Sequence, residues 1–99
     1  MRPIHLARLD KTRPALVLTR EGVRRSRRWV TIAPITSTVR GLSTEVAVGP
    51  ANGVDRDSVI SLDNIVTIPV DDLGRQIGRL RPDQESALTV AIHAAFDLD

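Results

Sequence analysis

Two residues stand where a phosphate can be held. Arg13 directly precedes Pro14 and the apolar run Ala15–Leu18, and Thr36 follows the apolar run Trp29–Ile35. Arginine offers a rigid fork of donors that matches a phosphate, and a hydroxyl adds one more. The two converge if their runs are neighbouring strands of one sheet. On spacing alone they also fit an ordinary strand-start arginine and strand-end threonine.

Other chemistry has less to stand on. His5 and His93 are the only histidines. Paired histidines can move protons during RNA cleavage, but nothing in the spacing brings these two together. Asp55, Asp57, Asp63, Asp71 and Asp72 fall in loop-like stretches without the ligand spacing of a calcium or zinc site, so neither a metal nor a cofactor is expected. There is no glycine-rich phosphate loop and no serine on a nucleophile elbow. With no cysteine, disulfides, zinc–thiolate sites and thiol nucleophiles are all excluded. Tyrosine is also missing, which leaves arginine and threonine as the main polar groups for phosphate chemistry.

The chain has 99 residues, 41% of them apolar and 26% charged, which suits one globular domain spanning residues 1–99. No apolar run reaches the ~18 residues of a membrane span, and no charged segment leads into an apolar stretch, so no signal peptide is expected. Trp29 and Phe96 are the only aromatic residues, which argues against modules that stack bases on a row of rings. The net charge of +2 hides an asymmetry. Residues 1–48 carry ten basic and three acidic residues, and residues 49–99 carry four and nine. Arg20, Arg24, Arg25, Arg27 and Arg28 crowd into nine positions. Such a cluster is either a solvated loop or a patch for a phosphate backbone.

Certain elements must position these residues. Strands are expected at Ile4–Leu9, Ala15–Leu18, Trp29–Ile35, Thr44–Val48, Ser58–Leu62, Ile65–Ile68 and Ile77–Leu80, with loops at Arg20–Arg28, Thr36–Leu42 and Gly49–Asp57. Pro34 is placed near a strand end, where proline is tolerated. The period then changes. Pro82 suits a first helical residue, Asp83 and Glu85 suit a first turn, and Leu88, Ala91, Ile92 and Ala95 recur at helical spacing. A helix over Pro82–Phe96 follows. Short strands closed by one amphipathic helix make an α+β fold, a small curved sheet or barrel with the helix packed on it.

In this order the segments resemble the MazF/PemK family of endoribonuclease toxins. Arg13-Pro14-Ala15-Leu16-Val17-Leu18 is similar to the family's Arg-Pro strand. Val30-Thr31-Ile32-Ala33-Pro34-Ile35-Thr36 is similar to its strand ending in Pro-Ile-Thr. Asp57-Ser58-Val59 with Ile65, Thr67 and Ile68 resembles its Asp-Ser-Val strand and the segment after it, and Ile77-Gly78-Arg79-Leu80 resembles its closing strand. The match covers about 85 of the 99 residues.

The resemblance implies an SH3-like barrel of the CcdB/MazF type with a C-terminal helix, working as a homodimer in the bacterial cytoplasm. It implies metal-independent, sequence-selective cleavage of single-stranded RNA, with the 2′-hydroxyl attacking the adjacent phosphate to leave a 2′,3′-cyclic phosphate and a 5′-hydroxyl. Arg13 and Thr36 take the catalytic positions, with Arg13 first as electrostatic stabiliser and second as general acid. Ser37, Thr38, Arg24 and Arg25 are expected RNA contacts. The implied partner is an antitoxin of the MazE type, an acidic and apolar segment laid across the RNA groove.

Two departures stand out. Only Asp10-Lys11-Thr12 separates the first strand from Arg13, where family members usually carry a longer, acidic, glycine-bearing loop. The short loop is expected to open the site and to remove an acidic partner. Val66 stands where many relatives carry arginine. Two alternatives remain: a gyrase poison of the CcdB kind, which relies on a C-terminal Trp-Gly-Ile absent here, and a non-catalytic SH3-like nucleic-acid-binding module.

Overall fold

A computed structural model describes residues 2–20 and 28–97. Among the described residues seven strands come first: β1 (Pro3–Arg8), β2 (Thr12–Val17), β3 (Trp29–Thr36), β4 (Glu45–Val48), β5 (Ser58–Ser61), β6 (Val66–Pro69) and β7 (Leu73–Arg79). Among the described residues, one α-helix, α1 (Pro82–Phe96), follows the strands. One-turn 3-10 helices interrupt the strands at Pro50–Asn52, Leu62–Asn64 and Val70–Asp72. The sheet runs β4-β5-β3-β2-β1-β7, all antiparallel, with β6 also on β3. The expected α+β architecture of a curled sheet with one C-terminal helix is the one found.

β3 makes the sheet curl. Its first half, Trp29–Ile32, pairs with β6, and its end, Ile35 and Thr36, pairs with β5. The buried side alternates until Ile32 and Ala33, which are both buried in succession. Val30 and Ile32 therefore enter one apolar cluster with Val17 and Ile68, while Ala33 and Ile35 enter another with Leu16 and Ile60. Pro34 lies at the hand-over between the two partners, where a residue without an N–H is tolerated. The strand then continues two residues beyond it to Thr36, further than expected.

The larger cluster also takes Leu88 and Ala91 from α1. Burying Leu88 contributes about 1.5–3 kcal/mol. The helix entrance is tied down by polar groups. Gln84 is buried; its Oε1 accepts from the Arg81 N–H at 2.9 Å and from Asn52 Nδ2 at 2.7 Å. Its Nε2 donates to the Ala47 carbonyl at 3.1 Å. Asn52, buried as well, also donates to the Arg79 carbonyl at 3.0 Å and accepts from the Gly49 N–H at 3.1 Å. Every bond of this network is satisfied, as buried polar groups require. The backbone crosses tightly beside it. A Cβ on Gly78 would fall on the Asn52 carbonyl oxygen, and Gly53, at φ 91°, lies against Ile77.

β7 begins four residues earlier than expected, at Leu73. Its first half, Leu73-Gly74-Arg75-Gln76, lacks apolar alternation, and it forms because β1 offers an edge to pair with. Among the described residues, no helix is long and apolar enough to cross a membrane.

Candidate active site

β2 and β3 are neighbours, as the site requires. Ala15 pairs with Pro34, Leu16 with Ala33 and Val17 with Ile32. Arg13 lies two residues before Ala15 and Thr36 two residues after Pro34, at the ends of the paired stretch, and both line the same clefts. Both residues are half-buried.

Arg13 is held by Asp10. Its Nε and Nη2 donate to the two carboxylate oxygens of Asp10, each at 3.0 Å. This two-toothed contact orients the guanidinium plane. Among the described residues Nη1 makes no hydrogen bond, so it is available to a ligand oxygen. The hydrogen bond from Arg13, with its charge, holds the Asp10 carboxyl below the usual aspartate range. Asp10 in turn raises the Arg13 pKa above its already high ordinary value. Arg13 is thus a permanent cation and a poor proton donor, which favours electrostatic stabilisation over general-acid work. The expectation that the short 10–12 turn removes an acidic partner is corrected. A turn this tight puts Asp10 three residues before Arg13, within direct reach.

Thr36 is positioned by its own loop. Its Oγ1 accepts the Thr38 N–H at 3.1 Å, which leaves the hydroxyl proton free to donate. Glu45 anchors the other end of this loop. Its carboxylate accepts the Leu42 N–H at 3.0 Å and the Arg40 N–H at 3.3 Å.

Arg13, Thr36 and Thr38 form a ridge shared by two clefts. One, of about 440 Å³, carries among the described residues Lys11, Arg13 and Arg56 against one carboxylate, Asp55. The other, of about 640 Å³, carries Asp10, Glu45 and Asp63 against Arg13 and Arg40. Ser37 faces the cationic cleft and Thr38 both. Arg24 and Arg25 lie outside the described residues. His5 donates its Nδ1–H to the Gly74 carbonyl at 2.8 Å, and His93 is exposed on α1. Neither histidine lines the two clefts. Among the described residues, no three of His, Cys, Asp or Glu gather to hold a metal.

The residues missed from sequence are Asp10, Lys11, Arg56, Glu45 and Asp63. An Asp-x-x-Arg spacing across a tight turn was the one readable signal, for Asp10. The others reach the site only through the fold.

The profile of the PemK-like, MazF-like toxins of type II toxin–antitoxin systems matches residues 4–96. The chain belongs to this family. The toxin is similar to Endoribonuclease MazF3 of Mycobacterium tuberculosis, 64% identical over 99 residues covering 100% of this chain and 96% of the relative. Its fold superposes on the structure of Mycobacterium tuberculosis toxin MazF-mt6 with a TM-score of 0.97 at 63% identity, covering 99% of each chain. A more distant relation is an endoribonuclease in complex with its cognate antitoxin from a mycobacterial species, 26% identical with a TM-score of 0.85, covering 98% of this toxin and 93% of that chain. The family match decides against the gyrase-poison and passive-module alternatives.

Proposed function

We propose that the Arg13–Thr36 ridge is the catalytic centre of this endoribonuclease toxin. The observation that carries the reading is that Arg13 and Thr36 line the same two clefts, with the guanidinium locked by Asp10.

The scissile phosphate sits on the ridge. The 2′-hydroxyl gives up its proton to solvent water as its oxygen attacks the adjacent phosphorus, the P–O5′ bond breaks, and the 5′-oxygen leaves and takes up a proton from water. The products are a 2′,3′-cyclic phosphate and a 5′-hydroxyl. Negative charge builds on the non-bridging oxygens, where Arg13 Nη1 and the Thr36 hydroxyl donate hydrogen bonds. The nucleophile belongs to ribose, so a strand without 2′-hydroxyls is not cut. No metal enters this scheme.

The strand is single, since sequence-selective reading of RNA uses unstacked bases that a duplex does not offer. Its backbone follows the cationic cleft past Lys11 and Arg56, with Ser37 and Thr38 as polar contacts and Arg24 and Arg25 adding attraction. The toxin acts in the bacterial cytoplasm, where its RNA is. An antitoxin of the MazE type, acidic and apolar, competes for the same cations. The working unit is a homodimer, which gives cover to apolar side chains left open on one protomer, Trp29 at 55% exposure and Val90 at 67%.

The test is cleavage of RNA by purified toxin with identification of both new ends, beside a folded Arg13→Ala variant. Cyclic phosphate and 5′-hydroxyl ends from the wild type and none from the variant support the reading. Equal cleavage by the variant refutes it.

A further inference from the structure

The clefts on either side of the ridge differ in charge, and RNA carries its charge on one side only. A phosphate backbone is attracted to Lys11, Arg13 and Arg56 and repelled by the carboxylates of the larger cleft. What enters the larger cleft is therefore the uncharged part of a nucleotide. Its volume of about 640 Å³ accommodates a nucleobase. Leu9, Pro34 and Leu42 provide apolar wall for a base face, and Leu42 is 47% exposed although large and apolar.

The three carboxylates there are not equivalent. Asp10 is occupied by Arg13, and Glu45 by the backbone of the 37–44 loop. Asp63 is exposed, and among the described residues it makes one hydrogen bond, from Thr44 Oγ1 to Oδ2 at 2.6 Å. That bond fixes the carboxylate and leaves Oδ1 open. Asn64 beside it donates its Nδ2 to Ser61 Oγ at 2.8 Å, which leaves its carbonyl oxygen as a second acceptor.

We infer that this cleft is the base-reading subsite of the toxin and that Asp63 is its specificity-determining residue, selecting a nucleobase with an exocyclic amino group over uracil. The inference rests on the ridge being the catalytic centre. Carboxylates read bases by accepting from amino groups. Cytosine, adenine and guanine each offer one. Uracil flanks its single ring N–H with two carbonyl oxygens, which meet the acceptors of Asp63 and Asn64 lone pair to lone pair. The subsite thus excludes uracil at one position beside the cut. Thr44 is a positioning residue, acting through Asp63.

The experiment is cleavage of a randomised single-stranded RNA pool, with new ends sequenced, by wild type, Asp63→Ala, Asp63→Asn and Thr44→Val, each checked for a wild-type melting transition. Asp63 is exposed, so its variants fold. The wild type should disfavour uracil by about tenfold at one position next to the cut. Asp63→Ala should remove that preference at that position alone. Asp63→Asn, with a donor added, should accept uracil there, and Thr44→Val should weaken the preference in part. A cytosine lacking its amino group should slow the wild type and cost Asp63→Ala nothing more. Removal of a negative charge by itself raises RNA affinity equally for every sequence, so a uniform change in Asp63→Ala, or no change, overturns the assignment. Arg13→Ala separates the two claims. If it abolishes cleavage while Asp63→Ala keeps every preference, the subsite alone is wrong. If it cuts like wild type while Asp63→Ala relaxes one position, the catalytic centre alone is wrong.

Discussion

Asp10 and Arg13 clasp each other through two hydrogen bonds of 3.0 Å across a turn of only three residues. The contact lies on an exposed rim, so it adds little to stability. Its effect is orientation, aiming the guanidinium from a fixed plane at whatever lies on the ridge.

Removing that clasp should lower turnover more than affinity. Asp10→Asn keeps the volume but gives up the charged acceptor, and Asp10→Ala gives up both. The expected order of kcat is wild type, then Asp10→Asn, then Asp10→Ala, with KM nearly constant. Steady-state cleavage kinetics on one defined oligonucleotide measure this, and a change in KM alone would mean that Asp10 binds RNA without positioning Arg13.

The pH dependence of the clasp has a definite sign. Arg13 holds the Asp10 carboxyl below its ordinary value of 3.8, so the pair is intact above that value and is lost only as pH falls through the lowered one. Arg13 does not titrate on this side of neutrality. The carboxyl carbon-13 shift of Asp10 should therefore stay unchanged from pH 8 to pH 5 and move only in more acidic solution. A transition between pH 6 and 7 would show another group controlling the arginine.

Thr36 should be replaceable by serine and not by alanine or valine. Serine keeps both the acceptor for the Thr38 N–H and the free hydroxyl proton. Loss of one preorganised transition-state donor costs roughly 10²–10³ in kcat. Single-turnover cleavage checks the comparison, and a fully active Thr36→Val would leave the hydroxyl without a role.

Much of this fold was legible in the sequence, and the reasons are local. The helix limits, Pro82 and Phe96, came from a proline at a first turn and a clear apolar period. Arg13 and Thr36 came from the polar residues bordering two apolar runs. What stayed hidden depends on the chain closing on itself. β7 could not be seen before Ile77, because Leu73–Gln76 becomes strand only against β1. Asp63 and Arg56 looked like solvated loop charges and Glu45 like an ordinary strand residue, and they reach the site because β3 exchanges β6 for β5 halfway along.

The Asn52–Gln84 network should matter for stability and not for catalysis. Gln84→Ala leaves the Asn52 amide and the Arg81 N–H short of acceptors in a buried place. A buried group left unpaired costs about 1–3 kcal/mol, and each kcal/mol shifts the melting temperature of so small a domain by roughly 4–8 °C. Calorimetry should show that fall, with kcat unchanged well below the transition. Gly78→Ala should be worse, since its Cβ meets backbone rather than a side chain that can move.

The cationic cleft should respond to salt. Lys11→Ala and Arg56→Ala should each weaken RNA binding by a similar factor for every sequence and flatten the slope of log affinity against log salt by about one. Fluorescence anisotropy across a salt series on two unrelated oligonucleotides reads both effects, and an unchanged slope would move the backbone path off this cleft.

The central claim is that Arg13 and Thr36 together stabilise the charge that develops when a 2′-hydroxyl attacks its own phosphate. The most direct measurement is end-group analysis of RNA cut by wild type, Arg13→Ala, Thr36→Ala and the double variant, all in chelator. The account predicts 2′,3′-cyclic phosphate and 5′-hydroxyl ends, deep loss of rate in each single variant, and a double variant little slower than Arg13→Ala. Ends bearing a 5′-phosphate, or a folded Arg13→Ala cutting at the wild-type rate, would contradict it.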